Sequence, residues 1–384
     1  VLDSSTSFAS DSQVIDGTGF AVSHGANLIN FSLAYGGGDI SGNSQLSLMA
    51  DYLTYGLRIP VTVAAGNSGN DFLPAPQGPA DAFNIFSVGA TSAASSYGQV
   101  ASFSSFGPTV GGRNAPNIVA PGESLSVPAA HTSGFGTATG TSFSAPEVTG
   151  ILAAEIEYGH SHSFSTDPLV LRATLLNSAE KVKDRTGAAW APRTSSTAGG
   201  VYTINSPLNT SAGAGQVDGL RLYQQYSPGE MAPGDVATVG WDQANITGTS
   251  SMDYHLGSLA AGSSLTATLT WFRHVGWSDD DSNGVLDSGD GFAPLEALDN
   301  LDLKLYRDQT LIAQSISLVD TTEHIFLNAI DTGDYLLRVT RVSGGGTSED
   351  FGLAWFGTAI PEPSAVVMCI SLMFLAGARR KLTR

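Results

Sequence analysis

The stretch that decides the fold is GTSFSAPEVTG, residues 140–150. Apolar residues recur at helical spacing from Val148 to Ile156, which predicts a helix that begins where a glycine-containing loop reaches Ser142. Backbone N–H groups at a helix start are unpaired and the helix dipole favours negative charge, which suits a serine nucleophile whose reaction creates an oxyanion. Pro146 is predicted in the first turn, where its missing N–H is harmless. A serine that only caps the helix is the alternative at this point.

Short apolar runs and helical patterns alternate on both sides of this stretch. The predicted strands are residues 27–33, 59–65, 85–89 and 117–120, and the predicted helices are residues 13–25, 44–57, 143–158 and 167–180. Continuous apolar strands suit a parallel sheet that is buried on both faces. The alternation therefore predicts an α/β domain over residues 1–226, with a parallel sheet flanked by helices.

The pattern changes to a period of two from residue 232 onward. Residues 265–271, 301–305 and 335–339 alternate apolar and polar side chains, and turn signals separate these runs. This alternation predicts an antiparallel β-sandwich domain over residues 232–357. The chain is 384 residues long, which is enough for two such domains.

Charge and cysteine content exclude some classes of function. The formal net charge of −18 argues against nucleic acid as a partner, because phosphate binding needs basic patches. A single cysteine, Cys369, excludes a disulfide framework and any zinc cluster built on thiolates.

A second polar segment follows a predicted buried strand. Residues 63–70 read VAAGNSGN, so small residues lead into Asn67. Glycine lets a substrate backbone approach closely, and an asparagine amide can donate a hydrogen bond to an oxyanion. An ordinary Asn-Ser-Gly turn is the alternative for this segment taken alone.

Together these segments resemble the subtilisin-like serine peptidases, the subtilases. The resemblance rests on ordered landmarks at residues 25–33, 63–70, 87–90, 101–107, 115–122, 140–150 and 213–218. It implies that Ser142 is the nucleophile and that Asn67 is the oxyanion-hole asparagine. It also implies polypeptide substrates, bound as an added strand. The implied substrate-binding residues are Ser32, Leu33, Ala34, Gly36, Ala65 and Gly66.

The aspartate and histidine motifs of the family are not found in this sequence. In subtilases they precede the strand that Val1-Leu2-Asp3 resembles, so we expect an N-terminally truncated, nearly inert fragment of an active serine endopeptidase. Asp16 lies in a motif-like VIDGTG but aligns with a helix, and His24 is interpreted as a helix-end residue. His131 is likewise interpreted as structural. A shared metal at His160 and His162 is a weaker alternative to surface solvation.

A calcium-type loop lies at residues 279–290. Its oxygen-bearing residues occupy positions 1, 3, 5, 9 and 12, with Gly284 at the sharp turn, which resembles an EF-hand loop without its helices. The predicted ligands of a structural Ca²⁺ are Asp279, Asp281, Asn283, the carbonyl of Val285, Asp287 and Asp290. We expect this loop to be set into the sandwich, and a solvated acidic loop is the alternative.

The carboxyl end, residues 360–384, resembles a PEP-CTERM sorting signal. It combines Pro361-Glu-Pro363, an uncharged run at 365–378 and a basic cluster at 379–381. The resemblance implies export, a transient membrane segment and processing by envelope sorting machinery, with a location in the cell envelope or outside the cell. A buried helix is the alternative for the uncharged run.

A different class of function also fits these features. The protein would then be a non-catalytic, calcium-dependent surface-binding protein on a degenerate subtilase scaffold. Retention of both Ser142 and Asn67 favours the enzyme. We expect a monomer in either case.

Overall fold

The architecture was analysed in a computed structural model, which describes residues 10–33, 41–92, 98–129 and 133–358. Several predictions fall outside these residues. They concern Ala34, Gly36, His131, the N-terminal end and the carboxyl tail with Cys369. Among the residues described, no helix has the length and apolar character that crossing a membrane requires.

The first half of the chain forms the predicted parallel sheet and its helices. Its elements are α1 Asp11–Ser23, β1 Ile29–Phe31, α2 Gln45–Tyr55, β2 Val61–Ala64, β3 Phe86–Ser92, β4 Ile118–Glu123, β5 Leu125–Pro128, β6 Phe135–Ala138, α3 Thr141–His162 and α4 Pro168–Ser178. Strands β1, β2, β3 and β4 are adjacent in that order, and every pair is parallel. The α/β prediction is therefore confirmed, and β5 and β6 form a separate hairpin.

Apolar residues pack on both faces of this sheet. One cluster joins residues of β1 and β2 to α1 and α2, and another joins β3 and β4 to α3 and α4. All residues of β2 and β3 are buried, which explains why their sequences are continuous rather than alternating.

The start of α3 differs from the prediction. The helix begins at Thr141, so Pro146 is its sixth residue and lies inside the helix rather than in the first turn. A non-proline residue there would donate its N–H to the carbonyl of Ser142 four residues earlier. The hydroxyl of Ser32 donates to that carbonyl instead, at 2.9 Å. The proline is tolerated because Ser32, the residue that follows β1, supplies the missing donor.

The second half of the chain is built mainly of antiparallel strands. Its elements are β7 Thr194–Ala198, β8 Val201–Ser206, α5 Gly219–Tyr226, β9 Gly234–Asp235, β10 Val239–Thr247, β11 Ser251–Leu259, β12 Ser264–Trp271, β13 Val275–Ser278, β14 Gly291–Pro294, β15 Asn300–Arg307, β16 Thr310–Ser315, β17 Thr322–Leu327, β18 Gly333–Ser343 and β19 Ser348–Thr358. The helix α5 was not predicted.

Two larger sheets share one apolar core in this half. One sheet has the order β10-β19-β12-β17, and the other has the order β7-β8-β16-β15-β18-β11-β9. Residues such as Trp271 and Trp355 from the first sheet and Leu303 and Leu337 from the second belong to the same buried cluster. Most pairs are antiparallel, whereas β8–β16 and β9–β11 are parallel. The β7–β8 hairpin belongs to this second sheet although it precedes residue 226.

Helix α4 belongs to the first half of the chain and packs against a sheet of the second half. The side-chain oxygen of Asn177 accepts hydrogen bonds from Thr266 at 3.2 Å and Thr268 at 3.0 Å on β12. The carbonyl of Leu169 accepts another from Thr270 at 3.0 Å. All of these groups are buried, so the contact between α4 and this sheet is tight. The predicted domain boundaries at residues 226 and 232 stay predictions.

The acidic loop lies elsewhere than we expected. It joins β13 to β14, which form a two-stranded sheet separate from the two larger sheets. Leu286 and Phe292 pack into the apolar cluster of α1 and α2, and the N–H of Ser288 donates to Asp16 at 2.8 Å. The placement in the sandwich was therefore wrong, because apolar side chains at this loop bind it to the first half of the chain.

Candidate functional site

Ser142 lies at the second position of α3, where the helix faces the carboxyl edge of the parallel sheet. The cap residue Gly140 has a φ of 149°, a conformation that side chains disfavour. The Ser142 side chain is half-buried, so it is held by its surroundings yet accessible. As the sequence predicted, the serine sits where unpaired helix N–H groups and the positive end of the dipole meet.

Asn67 follows β2 and contacts the same helix start. Its side-chain oxygen accepts hydrogen bonds from the Thr141 N–H at 2.9 Å and from the Thr141 hydroxyl at 3.1 Å. Because a backbone N–H can only donate, the oxygen must face Thr141 and the amide NH₂ must face the other way. Within the described residues no hydrogen bond occupies that NH₂ group, and the Asn67 side chain is exposed. Asn67 therefore presents a donor to solvent beside Ser142.

Glycine is required at position 66 for this arrangement. Gly66 has a φ of 104°, and a Cβ atom there would lie 2.9 Å from the hydroxyl of Ser105. The Gly66 N–H donates to the Thr141 hydroxyl at 3.2 Å, so the loop after β2 is attached directly to the start of α3. Ala65 is 1% exposed and donates its N–H to Val88. Its predicted role in substrate binding remains untested.

Ser32 links the end of β1 to the same helix. Besides donating to the Ser142 carbonyl, Ser32 lies with its own carbonyl 3.5 Å from the Ser142 hydroxyl. Ser32 is exposed and Leu33 is half-buried, so both lie at the surface of the site. This link to Ser142, like the role of Thr141, was not predicted. The only signal in the sequence was a proline four residues after Ser142, which leaves one carbonyl without its helical donor.

The other candidate residues have structural surroundings. Asp16 lies in α1 and accepts the hydrogen bond from Ser288. His24 caps the end of α1, as predicted, with its Nδ1 atom 2.8 Å from the Phe20 carbonyl. The ring of His162 stacks on Tyr158 with centroids 3.9 Å apart. Among the described residues, the hydrogen bonds of the Ser142 hydroxyl do not include a histidine.

The acidic loop brings together three of its predicted ligands. Carboxylate oxygens of Asp279, Asp281 and Asp290 lie within 4.8 Å of one another. The Asn283 amide joins the cluster by donating to Asp281 at 2.9 Å and to Asp287 at 2.6 Å. The assigned carbonyl belongs to Val285, whose N–H donates to the Asn283 side chain.

Electrostatics in this loop favour a cation. Desolvation, followed by repulsion from Asp287 and Asp279, raises the pKa of Asp281. Oxygen donors of this kind and number are those that Ca²⁺ prefers. The residues therefore fit a calcium ion in their chemistry.

Comparison with known proteins identifies the family of the segment that contains Ser142, Asn67 and Ser32. The model of the subtilase family, Peptidase_S8, matches residues 2–201, which is more than half of the chain. The chain belongs to the subtilase family.

Two curated relatives have sequences similar to this chain. Thermitase of Thermoactinomyces vulgaris is 33% identical over 191 residues, which cover 50% of this chain and 59% of thermitase. Pyrolysin of Pyrococcus furiosus is 27% identical over 192 residues, which cover 43% of this chain and 14% of pyrolysin. The chain thus spans less than two thirds of either relative.

Part of the chain also resembles a solved structure. The patellamide maturation protease PatA has 24% sequence identity and a TM-score of 0.44, with 58% of this chain and 70% of that chain covered. This chain shares the family with serine-type peptidases, and the residues that the family model matches, 2–201, include Ser142 and Asn67.

Proposed function

We propose that this subtilase is a serine endopeptidase in which Ser142 is the nucleophile and Asn67 supplies the oxyanion hole. The observation that carries the proposal is the orientation of Asn67. Its oxygen is held by both donors of Thr141, so its NH₂ group is directed away from the helix and is available to a ligand. An amide preorganised in this way pays no reorganisation energy when charge develops on a substrate oxygen.

The chemical step proposed here is that of the subtilase family. The Ser142 oxygen attacks the carbonyl carbon of a peptide bond, and its proton passes to a general base, the role of a histidine imidazole in a serine triad, which the described residues do not place beside Ser142. The carbonyl oxygen becomes an oxyanion, which accepts hydrogen bonds from the Asn67 amide and the Ser142 N–H. When the C–N bond breaks, the proton passes to the leaving amine and an acyl group remains on Ser142. Water then releases the acid by the same steps.

Substrate binding is proposed at the edge next to Ser32. An extended peptide would pair as an added strand with the backbone at Ser32 and Leu33. The N–H groups of Ala65 and Gly66 already donate to Val88 and Thr141, so these two residues would line the groove rather than pair through their N–H groups. Ser32 supports this role because it lies at the surface and contacts Ser142 directly. Departures from the family pattern at Ala34 and Tyr35 lie in the same segment and bear on specificity.

Labelling of Ser142 tests the proposed activity. The chain is treated with a fluorophosphonate probe, with and without added imidazole as an external base, beside the Ser142→Ala variant. We expect slow labelling that requires Ser142 and that imidazole accelerates. Rapid labelling without imidazole would support the peptidase but overturn the expectation that residues 1–384 alone are nearly inert. Absence of Ser142-dependent labelling in both conditions would favour the non-catalytic surface-binding protein.

We further propose that the acidic loop binds structural calcium. Three carboxylates from separate positions converge there, and no basic side chain occurs between residues 279 and 302 to neutralise them. Because the loop packs on α1 and α2, a bound ion would stabilise the half of the chain that holds Ser142. The test is the melting temperature of the whole chain with millimolar Ca²⁺ and with a chelator.

Export and envelope sorting are proposed from the carboxyl tail alone. Its Pro361-Glu-Pro363, uncharged run and basic cluster support recognition by sorting machinery, and the two larger sheets would then form an accessory domain outside the cytoplasm. Fractionation of cells that express the chain with and without residues 360–384 tests this proposal. Equal distribution of the two forms would contradict it.

A further inference from the structure

A cavity lies between α3 and α5, on a side of the helix that the proposed peptidase reaction does not use. Its volume is about 200 Å³, and its lining is mostly apolar. Ile151 and Leu222 contribute aliphatic walls, whereas Tyr158, Tyr223 and Tyr226 contribute aromatic ones. One acidic residue, Glu155, also lines this cavity.

The three tyrosines form a connected aromatic wall. The ring of Tyr158 meets that of Tyr223 edge to face, with centroids 5.4 Å apart and an angle of 85°. It meets Tyr226 at 6.1 Å and 62°. Tyr226 is immobilised because its hydroxyl donates to the Ser165 carbonyl at 2.7 Å, while Tyr223 is 54% exposed and forms the open side. Aromatic rings arranged around a small space attract cations through their negative faces.

Glu155 contributes a buried carboxyl group to the cavity, and only one of its two oxygens has a hydrogen-bond partner among the described residues. The residue is 5% exposed, and its Oε1 atom accepts a hydrogen bond from the Thr174 hydroxyl at 2.7 Å. Its buried Oε2 atom has no hydrogen-bond partner among the described residues. When this carboxyl is ionised, both of its oxygens can only accept hydrogen bonds, and a buried acceptor without a partner is destabilising. A ligand that carries a donor would satisfy Oε2 in that form.

We propose that this cavity binds a primary alkylammonium group, such as the end of a lysine side chain. The ammonium group donates to Glu155 and lies against the tyrosine rings, while its methylene groups contact Ile151 and Leu222. A quaternary ammonium can make cation–π contacts with the tyrosine rings but has no N–H to donate to Oε2 of Glu155. A neutral alcohol has a donor but no charge. The primary ammonium meets all three features of the cavity.

The ionisation of Glu155 decides the conditions of the test. Burial raises the pKa of Glu155 to about 8, and the Thr174 hydroxyl opposes this rise. Titrations are therefore made near pH 9, where this carboxyl is ionised and an alkylamine with a pKa of about 10 is still protonated. The replacement Glu155→Gln keeps an acceptor for Thr174, and thermal unfolding at the same pH checks that this variant folds.

Calorimetric titration of the whole chain with n-butylammonium chloride tests the proposal. We expect Glu155→Gln to weaken this binding at least tenfold and to leave the weak binding of n-butanol unchanged. Tyr223→Leu should weaken it by a similar factor, whereas the matched control Tyr223→Phe keeps the ring and the affinity. Tetramethylammonium should bind more weakly than n-butylammonium.

Two results would overturn the proposal. One is the absence of binding by the unmodified chain up to about 100 mM n-butylammonium, a range that covers millimolar affinity. The other is equal affinity of the unmodified chain and Glu155→Gln. A further titration with Nα-acetyl-lysine N-methylamide identifies the source of the group. Binding of both compounds indicates a lysine of a polypeptide, and binding of n-butylammonium alone indicates a small free amine.

Discussion

In the Ser142 site, the deciding hydrogen bonds join residues far apart in the chain, whereas in the acidic loop they join near neighbours. Thr141 and Asn67 are 74 positions apart, and Ser32 and Ser142 are 110 positions apart. Within the loop, the bonds of Asn283 and Gly284 to aspartates span two to five positions. The first site exists only when the parallel sheet is assembled, while the second has much of its shape in its local sequence.

The comparison also shows what the acidic loop lacks by itself. Its position depends on α1, where Asp16 accepts from Ser288 across 272 positions and Gly19 leaves room for Leu286. These two contacts, of Ser288 with Asp16 and of Leu286 with Gly19, hold the locally formed loop against α1.

Removing the Asn67 amide should have the largest effect. In Asn67→Ala we expect imidazole-assisted labelling of Ser142 to slow by about 10²–10³-fold, a magnitude measured on a subtilisin and carried over here. Asn70→Ala, an exposed asparagine of the same loop, is the matched control and should label normally. Equal rates for the two variants would show that Asn67 is not an oxyanion donor.

The second-largest effect is expected from a side chain added at Gly19, where α1 contacts the acidic loop. A Cβ atom at Gly19 would lie 1.6 Å from the Leu286 carbonyl oxygen, so Gly19→Ala should lower the free energy of unfolding by about 3 kcal/mol. Gly17→Ala lies two residues away, has no atom within 4 Å of the added carbon and should raise stability by up to about 1 kcal/mol. Denaturant unfolding measures both. A Gly19→Ala variant as stable as Gly17→Ala would refute the docking of the loop on α1.

Loss of a calcium ligand should abolish the response to the ion. At a Ca²⁺ concentration about a hundredfold above Kd, the unmodified chain should gain about 2.7 kcal/mol of stability. Asp281→Asn should lose most of this gain, because Asp281 belongs to the convergent cluster. The adjacent exposed Asp280, which is outside that cluster, provides the control Asp280→Asn, which should keep the gain. Melting with Ca²⁺ and with chelator distinguishes these outcomes, and a full response in Asp281→Asn would exclude this residue as a ligand.

The smallest effect is expected at Ser32. Ser32→Ala removes the donor that replaces the missing N–H of Pro146, so we expect a loss of about 1 kcal/mol in the free energy of unfolding. Ser23→Ala removes a similar exposed hydroxyl that donates to the Phe20 carbonyl at a helix end, where no proline is involved. It should cost less. If the two variants unfold at the same denaturant concentration, the Ser32 bond does not compensate for Pro146.

Much of the fold could be predicted because its patterns are strong. The strands around Val61–Ala64 and Phe86–Ser92 are continuous and apolar, and their flanking helices have clear periods. The second half was predicted from alternation at residues 265–271 and 335–339, which the structure places in β12 and β18. Helix α5 was missed because it is only eight residues long, too short for its amphipathic pattern to be distinguished from a loop.

Local sequence by itself singled out the residues that are proposed to carry chemistry in this protein. Ser142 at a glycine-preceded helix start, Asn67 at a strand end and the spacing of aspartates in residues 279–290 are all properties of short segments. Their types and intervals suffice because backbone turns, caps and carboxylate spacing are set within a few residues.

Only the tertiary structure decided how these segments meet. The orientation of the Asn67 amide depends on Thr141, the tolerance of Pro146 depends on Ser32, and the location of the acidic loop depends on α1. The physical reason is that hydrogen-bond partners and apolar contacts between distant segments are selected by the packing of the whole core. No periodicity in the sequence specifies that selection, so the cavity beside Glu155 also became visible only when α3 and α5 were packed together.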